Sequence, residues 1–264
     1  MSFVTVAAGS TNEFRIHYEL LGDVGQPVLM LSNSLGTNLS MWDPQMPEFS
    51  KHFRVLRYDA RGHGDSSITP GPYSIDQLGR DVLALLDLLE LEKVSFCGLS
   101  MGGMVGEWLG WNAADRLQKL VLCNTAAKIG TADGWNTRIE TVCAYGVKAV
   151  IPEVLERWYT PEFRTARPDV IAATGRMLET TDREGYVASC AAVRDMDLRE
   201  SVAGIRVATL IIAGAKDPVT PPAEGRFLAE QIARAEYLEL NAAHLSNVEA
   251  AGKFTLGVIK FLRN

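Results

Sequence analysis

Val94-Ser95-Phe96-Cys97-Gly98-Leu99-Ser100-Met101-Gly102-Gly103 passes from a short apolar stretch, through a glycine-rich turn, into the helical pattern of residues 101–112. Gly98, Ser100 and Gly102 have Gly-x-Ser-x-Gly spacing, which means little as a bare pattern because Gly and Ser are common. Its position after a strand and before a helix is what gives it meaning. A chain that turns this sharply from strand to helix strains the backbone of the central residue and projects its hydroxyl into a cleft. Neighbouring chains pass close by, so the flanking residues must be small. The start of a helix also aims free backbone N–H groups at developing negative charge. The bland reading is a glycine-rich turn with a capping serine; the flanking strand and helix favour Ser100 as a nucleophile.

The same alternation of short apolar runs and helical periodicity extends to both sides. Residues 3–7 and 14–20 read as strands separated by Gly9-Ser10-Thr11-Asn12, which predicts an opening antiparallel pair. Residues 28–32, 54–58, 94–97, 120–123, 207–213 and 236–240 are further strand candidates. Between them, residues 74–91 place Ile75, Leu78, Val82, Leu85, Leu86 and Leu89 at helical spacing, opened by Ser74-Ile75-Asp76-Gln77 in capping-box form. Helices are also expected over 101–112, over 223–232 and in a last segment ending near Phe261. This order predicts an α/β fold of the α/β-hydrolase type: a mostly parallel, eight-stranded sheet with helices on both faces. Residues 128–200 break the rhythm, with helical patches, no convincing strand, and Pro152, Pro161 and Pro168 dividing them into short pieces. The expected organisation is a core of residues 1–127 and 201–264 with a helical cap, or lid, inserted at 128–200. A separate second domain is the alternative.

A serine hydroxyl attacks at neutral pH only beside a base, and the base needs a carboxylate to hold its tautomer. In this fold the chain order is Ser, then Asp or Glu, then His. Of the four histidines, His17, His52, His63 and His244, only His244 follows Ser100. It also lies just after the last strand, in Asn241-Ala242-Ala243-His244. Asp217, in Ala213-Gly214-Ala215-Lys216-Asp217-Pro218, follows the strongest strand of the second half; Asp195 and Asp197 satisfy the order but sit in the helical insertion. His63, in a Gly-rich turn after residues 54–58, reads as a packed loop residue or a ligand contact rather than a catalytic group. Two backbone donors are needed for the oxyanion. One is the Met101 N–H. The other comes from Ser32-Asn33-Ser34-Leu35-Gly36, where many α/β hydrolases have His-Gly in place of Asn33-Ser34; by that alignment Leu35 donates. Ser34 is then either an extra hydroxyl in the cleft or a loop-structural residue.

Composition narrows the partners. Of the 264 residues, 47% are hydrophobic and 22% charged, as in ordinary globular enzymes, and the net charge is −6 with both signs interspersed. Nucleic acid and anionic membranes are poor partners for such a surface. The N-terminus lacks the basic and apolar regions of a signal peptide, and no apolar stretch reaches the ~18 residues of a membrane span. Cys97, Cys123, Cys143 and Cys190 show no metal-ligand spacing and read as buried thiols of a reducing cytoplasm. No metal or cofactor is expected, and the oligomeric state is not legible.

The segment around residues 31–67 joins Ser32-Asn33-Ser34-Leu35-Gly36-Thr37-Asn38, Met41-Trp42-Asp43 and Tyr58-Asp59-Ala60-Arg61-Gly62-His63-Gly64. Together with Gly98-Leu99-Ser100-Met101-Gly102-Gly103, it resembles the 3-oxoadipate enol-lactonases of bacterial aromatic catabolism, over essentially the whole chain. The serine turn is shared across the superfamily, whereas Ser-Asn-Ser-Leu-Gly is more particular to these lactonases. The resemblance implies cofactor-free hydrolysis of 3-oxoadipate enol-lactone to 3-oxoadipate in the β-ketoadipate pathway. That substrate carries a carboxylate, for which Trp135 and Arg138, three apart on an expected helix, are candidate anchors through an indole N–H and a guanidinium fork. The alternative places Trp135 in the lid core and Arg138 in solvent. Other ester, lactone or carbon–carbon bond hydrolases, a perhydrolase, and a triad-bearing ligand receptor share the scaffold's residues.

Overall fold

In the computed structural model, which describes residues 2–7, 9–11 and 13–264, eight strands form one sheet. They are β1 (Ser2–Val6), β2 (Phe14–Leu21), β3 (Val28–Ser32), β4 (Arg54–Tyr58), β5 (Val94–Leu99), β6 (Leu117–Cys123), β7 (Thr209–Gly214) and β8 (Ala235–Leu240). Their spatial order is β1-β2-β4-β3-β5-β6-β7-β8. β2 pairs antiparallel with β1 and β4, and every pairing from β4 through β8 is parallel. β5 and β7 are buried along their whole length, as continuous apolar runs in the middle of a doubly covered sheet must be.

The helices are α1 (Met46–Phe49), α2 (Ile75–Leu88), α3 (Met101–Asn112), α4 (Ala132–Tyr145), α5 (Ile151–Trp158), α6 (Pro161–Ala166), α7 (Pro168–Glu179), α8 (Arg183–Asp195), α9 (Pro222–Gln231), α10 (Ser246–Glu249) and α11 (Ala251–Arg263). α2 begins as the sequence suggests, with the Ser74 hydroxyl accepting the Gln77 amide at 3.1 Å. It stops at Leu88, short of residue 91, because Glu90 adopts a φ of 55°. α3 is buried on nearly every side, including Glu107. The stretch between β6 and β7 holds α4–α8 and, among the described residues, no strand.

Several expectations shift at their edges. β1 ends at Val6 because Ala7 turns with a φ of 52°; Asn12 of the expected turn lies outside the described residues. β6 starts three residues before 120, at Leu117 opposite Val94, and β7 starts at Thr209, where pairing with Leu120 begins. Cys97 and Cys123 are buried neighbours, their sulfurs 3.7 Å apart as free thiols. Cys143 corrects the expectation of four buried thiols: it lies exposed on α4. No helix among the described residues is long and apolar enough to cross a membrane.

In an open α/β sheet the carboxyl ends of parallel strands are where functional residues gather. Here Ser34 and Leu35 follow β3, Ser100 follows β5, Asn124 follows β6, Asp217 follows β7 and His244 follows β8.

Candidate active site

Ser100 has φ 56° and ψ −116°, a conformation that is strained for a residue with a side chain by about 1–3 kcal/mol. The surroundings force it. A Cβ on Gly98 would stand 2.0 Å from the Gly102 carbonyl oxygen, and one on Gly102 would stand 2.3 Å from that of Ser32. The Ser100 amide donates to the Cys123 carbonyl at 2.9 Å, its carbonyl accepts from the Thr125 hydroxyl at 2.9 Å, and the Gly102 amide donates to Asn33 at 3.0 Å. The turn is thereby tied to β3 and β6 at once.

His244 and Asp217 are both buried, with Nδ1 2.8 Å from Oδ2. The carboxylate is surrounded by donors. Oδ1 accepts the amides of Val219 (2.7 Å) and Thr220 (3.0 Å), and Oδ2 accepts the Thr220 hydroxyl (2.7 Å) and Asn124 Nδ2 (2.9 Å). Burial pushes the Asp217 carboxyl up, but the facing His244 and the hydrogen bonds from Asn124 and Thr220 outweigh it and hold it below the ordinary carboxylate range. An ionised Asp217 can only accept, so Nδ1–H donates to it, which leaves Nε2 of a neutral imidazole bare and able to accept a proton. Among the described residues no hydrogen bond joins Ser100 Oγ to His244; such contacts commonly tighten only around bound substrate.

Asn124 links these loops and was not legible as a site residue. Its Nδ2 reaches both Asp217 and the Ala243 carbonyl (3.2 Å), and its Oδ1 accepts from the Ser246 hydroxyl at 2.5 Å. The only sequence signal was its place immediately after β6. Thr220 was equally silent, though it lies three residues beyond the acid.

In the loop after β3, Asn33 is a latch: its Nδ2 donates to the Tyr58 carbonyl and its Oδ1 accepts from the Trp42 indole, both at 2.9 Å. The amides of Leu35 and Met101 have no acceptor among the described residues. The Ser34 hydroxyl is buried and also lacks a partner among them. Free N–H groups of this kind, one of them at a helix start next to the serine, are donors of the type that can stabilise a tetrahedral oxyanion.

Asp195 and Asp197 lie apart from His244, paired with Arg194 and with Lys128 and Arg199 respectively. Trp135 and Arg138 line a cavity of about 520 Å³ with Trp158 and Val219. The Trp158 ring centroid is 6.1 Å from that of His244, so this cavity borders the histidine loop. One expectation is corrected here: the Trp135 indole N–H donates to the Ile129 carbonyl at 2.7 Å and is not a free donor. A single indole N–H cannot serve both that carbonyl and a ligand. The Arg138 guanidinium sits 5.4 Å over the Trp135 ring and 3.3 Å from Glu153, which Arg157 also contacts at 3.3 Å.

His17, Asp59 and Asp65 bring potential metal-ligand atoms within 4.8 Å of one another. The Asp59 oxygens are already engaged by His17 Nδ1 (2.7 Å) and by the amides of Leu39 (2.8 Å) and Asp65 (3.0 Å). This cluster is a loop latch built of hydrogen bonds.

Comparison with known proteins agrees with the fold. A family model for the alpha/beta hydrolase fold matches residues 27–183. The chain is 41% identical over 249 residues to 3-oxoadipate enol-lactonase 2 of Acinetobacter baylyi, covering 94% of this chain and 93% of the relative. It is 39% identical to enol-lactonase 1 of the same organism, over 95% and 92% of the two chains. Among solved structures, the enol-lactonase from Burkholderia xenovorans LB400 superposes with a TM-score of 0.96 at 44% identity, over 100% of both chains.

Proposed function

Because this chain belongs to the α/β-hydrolase family, in the group of the 3-oxoadipate enol-lactonases, we propose that it opens the lactone ring of 3-oxoadipate enol-lactone to give 3-oxoadipate. The observation that carries the chemistry is Ser100, strained at a strand-to-helix turn, at the same carboxyl edge of the sheet as a buried His244–Asp217 pair 2.8 Å apart.

Ser100 Oγ attacks the ring carbonyl while His244 Nε2 takes its proton. The oxyanion is held by the Leu35 and Met101 amides. Collapse breaks the ring C–O bond and expels an enolate, a good leaving group that takes the proton back from His244. The enol becomes the ketone, and water deprotonated by His244 attacks the acyl-enzyme. Ser100 leaves with the proton that His244 took from water, and the new carboxylic acid releases its proton to solvent as the second carboxylate of the product. Asp217 holds the imidazole tautomer and balances its charge during both transfers.

Residues 128–200 act as a cap whose side chains choose the substrate. Arg138 is the anchor for the substrate carboxylate, exchanging its long contact with Glu153 for a forked one with the ligand. Trp135 serves as an apolar wall, and Ser34 adds a hydroxyl at the oxyanion loop. The reaction needs no metal or cofactor, and the cytoplasm is its proposed compartment.

The test is steady-state hydrolysis of 3-oxoadipate enol-lactone beside p-nitrophenyl acetate by wild type, Ser100→Ala and Arg138→Ala. We expect the lactone to be preferred by orders of magnitude and Ser100→Ala to be inactive on both. Arg138→Ala should lose about 1.5–3 kcal/mol in kcat/KM for the lactone only. Turnover of the simple ester alone would remove the lactonase reading while leaving the serine mechanism.

A further inference from the structure

Three consecutive peptide units of the loop after β3, from Ser34–Leu35 to Gly36–Thr37, are each held by a different partner. The Ser34 carbonyl accepts from the amide (3.2 Å) and hydroxyl (2.8 Å) of Thr37. The Gly36 amide donates to His63 Nε2 at 2.9 Å. The Gly36 carbonyl accepts from the Thr181 hydroxyl at 2.8 Å. The Ser34–Leu35 peptide is trans, and in a trans peptide the N–H points opposite to the C=O. Anchoring the Ser34 carbonyl at Thr37 therefore turns the Leu35 N–H to the other side of the loop.

The protonation state of His63 follows from its two partners. Nδ1 lies 3.2 Å from the Arg61 carbonyl, which can only accept, so Nδ1 carries the hydrogen. Nε2 receives the Gly36 N–H, so Nε2 is bare. Only one neutral tautomer meets both demands. Burial disfavours the charged ring, against the opposing pull of the Arg61 carbonyl and Asp59, so the neutral form is the one that fits.

The surroundings leave the loop little room to find another arrangement. Gly36 has a φ of 80°, and a Cβ there would stand 2.8 Å from Leu178 and 3.0 Å from Tyr186. Gly62, next to His63, packs so closely under α8 that a Cβ would stand 2.7 Å from Gly185. His63 itself is buried.

We propose that His63 is a positioning residue for the hydrolysis: by accepting the Gly36 amide hydrogen through Nε2, it fixes the peptide that adjoins Leu35 and so keeps the Leu35 N–H aimed at the oxyanion. It touches neither substrate nor the reacting atoms. The inference rests on the reading of Leu35 as an oxyanion donor. Without a bare ring nitrogen, the buried Gly36 N–H must turn toward a different acceptor, and the Leu35 peptide turns with it.

The experiment compares His63→Gln, His63→Asn and His63→Phe. A glutamine can set its amide oxygen where Nε2 stands; asparagine can satisfy Arg61 but falls short of Gly36; phenylalanine keeps the volume and removes the acceptor. Removing one oxyanion donor outright costs about 10²–10³ in kcat, so misaiming one should lower kcat about 10–100-fold for His63→Asn and His63→Phe. The fall should be the same for the lactone and for p-nitrophenyl acetate, with KM nearly unchanged. Inhibition by an alkyl trifluoromethyl ketone, whose adduct mimics the tetrahedral oxyanion, should weaken by the same factor, while inhibition by 3-oxoadipate should not. His63→Gln should restore both readouts to near wild type. Circular dichroism and melting establish which variants fold; should His63→Phe fail, His63→Asn against His63→Gln decides. Wild-type kcat and ketone affinity in a folded His63→Asn variant would overturn the assignment, as would equal impairment in His63→Gln. Activity remaining in Ser100→Ala is the separate result that would instead remove the serine mechanism.

Discussion

Glu107 is buried in α3 with neither carboxylate oxygen hydrogen-bonded among the described residues. Burial pushes its carboxyl up to about 8, partly offset by Thr125 and reinforced by Glu224. Between about 4.5 and about 8 the folded chain keeps a proton that the unfolded chain has released. Stability therefore falls as pH rises through that window, by at most ~1.4 kcal/mol per pH unit, and this contribution is constant above it. Glu107→Gln has the same shape and no charge to form. Its stability relative to wild type, from urea unfolding, should rise by about 2–4 kcal/mol between pH 5 and pH 8. A constant difference across that range would mean that Glu107 is not protonated in the folded chain. The residue was invisible as anything special in the sequence, since its burial depends on what α3 packs against.

At the scale of elements, the strand-to-helix turn between β5 and α3 stores strain in order to project the Ser100 hydroxyl from the carboxyl end of β5. Ser100→Gly removes the Cβ that makes φ 56° unfavourable, whereas Ser100→Ala keeps it. Both should be inactive, but Ser100→Gly should be more stable than Ser100→Ala by about 1 kcal/mol in urea unfolding. Equal stabilities would show that the turn is not strained. This element was readable in advance because its signal is local: an apolar run, small residues at two fixed positions, and a helical pattern behind them. The edges were less readable. β6 begins at Leu117 and α2 ends at Leu88 because of pairing and turn geometry rather than hydropathy.

At the scale of the whole molecule, the helices between β6 and β7 are tied to the histidine loop through one carboxylate. Glu249 accepts the Ala243 amide at 2.9 Å and the Thr160 amide at 3.3 Å, and the Thr160 hydroxyl bonds it as well. The Trp158 carbonyl accepts the Leu245 amide at 3.1 Å, reinforcing the same seam. Glu249→Ala should lower kcat about tenfold by loosening the loop that carries His244, and should cost about 1.5–3 kcal/mol of stability through lost charged hydrogen bonds. Kinetics and urea unfolding on one preparation check both; an unchanged kcat would mean that the histidine loop holds its geometry without this seam.

The amino-acid sequence by itself determined the kinds and order of the elements and singled out Ser100, Asp217 and His244. Hydrophobic period and turn chemistry act over a few residues, and chain order with elimination among four histidines did the rest. The tertiary structure alone decided who bonds to whom. Asn124 reaches Asp217 across 93 residues of chain, and His63 receives an amide from a loop 27 residues earlier. Trp135 is the counterexample within one segment: its position on a helix was legible, but the carbonyl of Ile129 that occupies its N–H was not. A hydrogen bond depends on which groups the packed fold brings within 3 Å or so, and that distance is set by the whole core rather than by any stretch of residues.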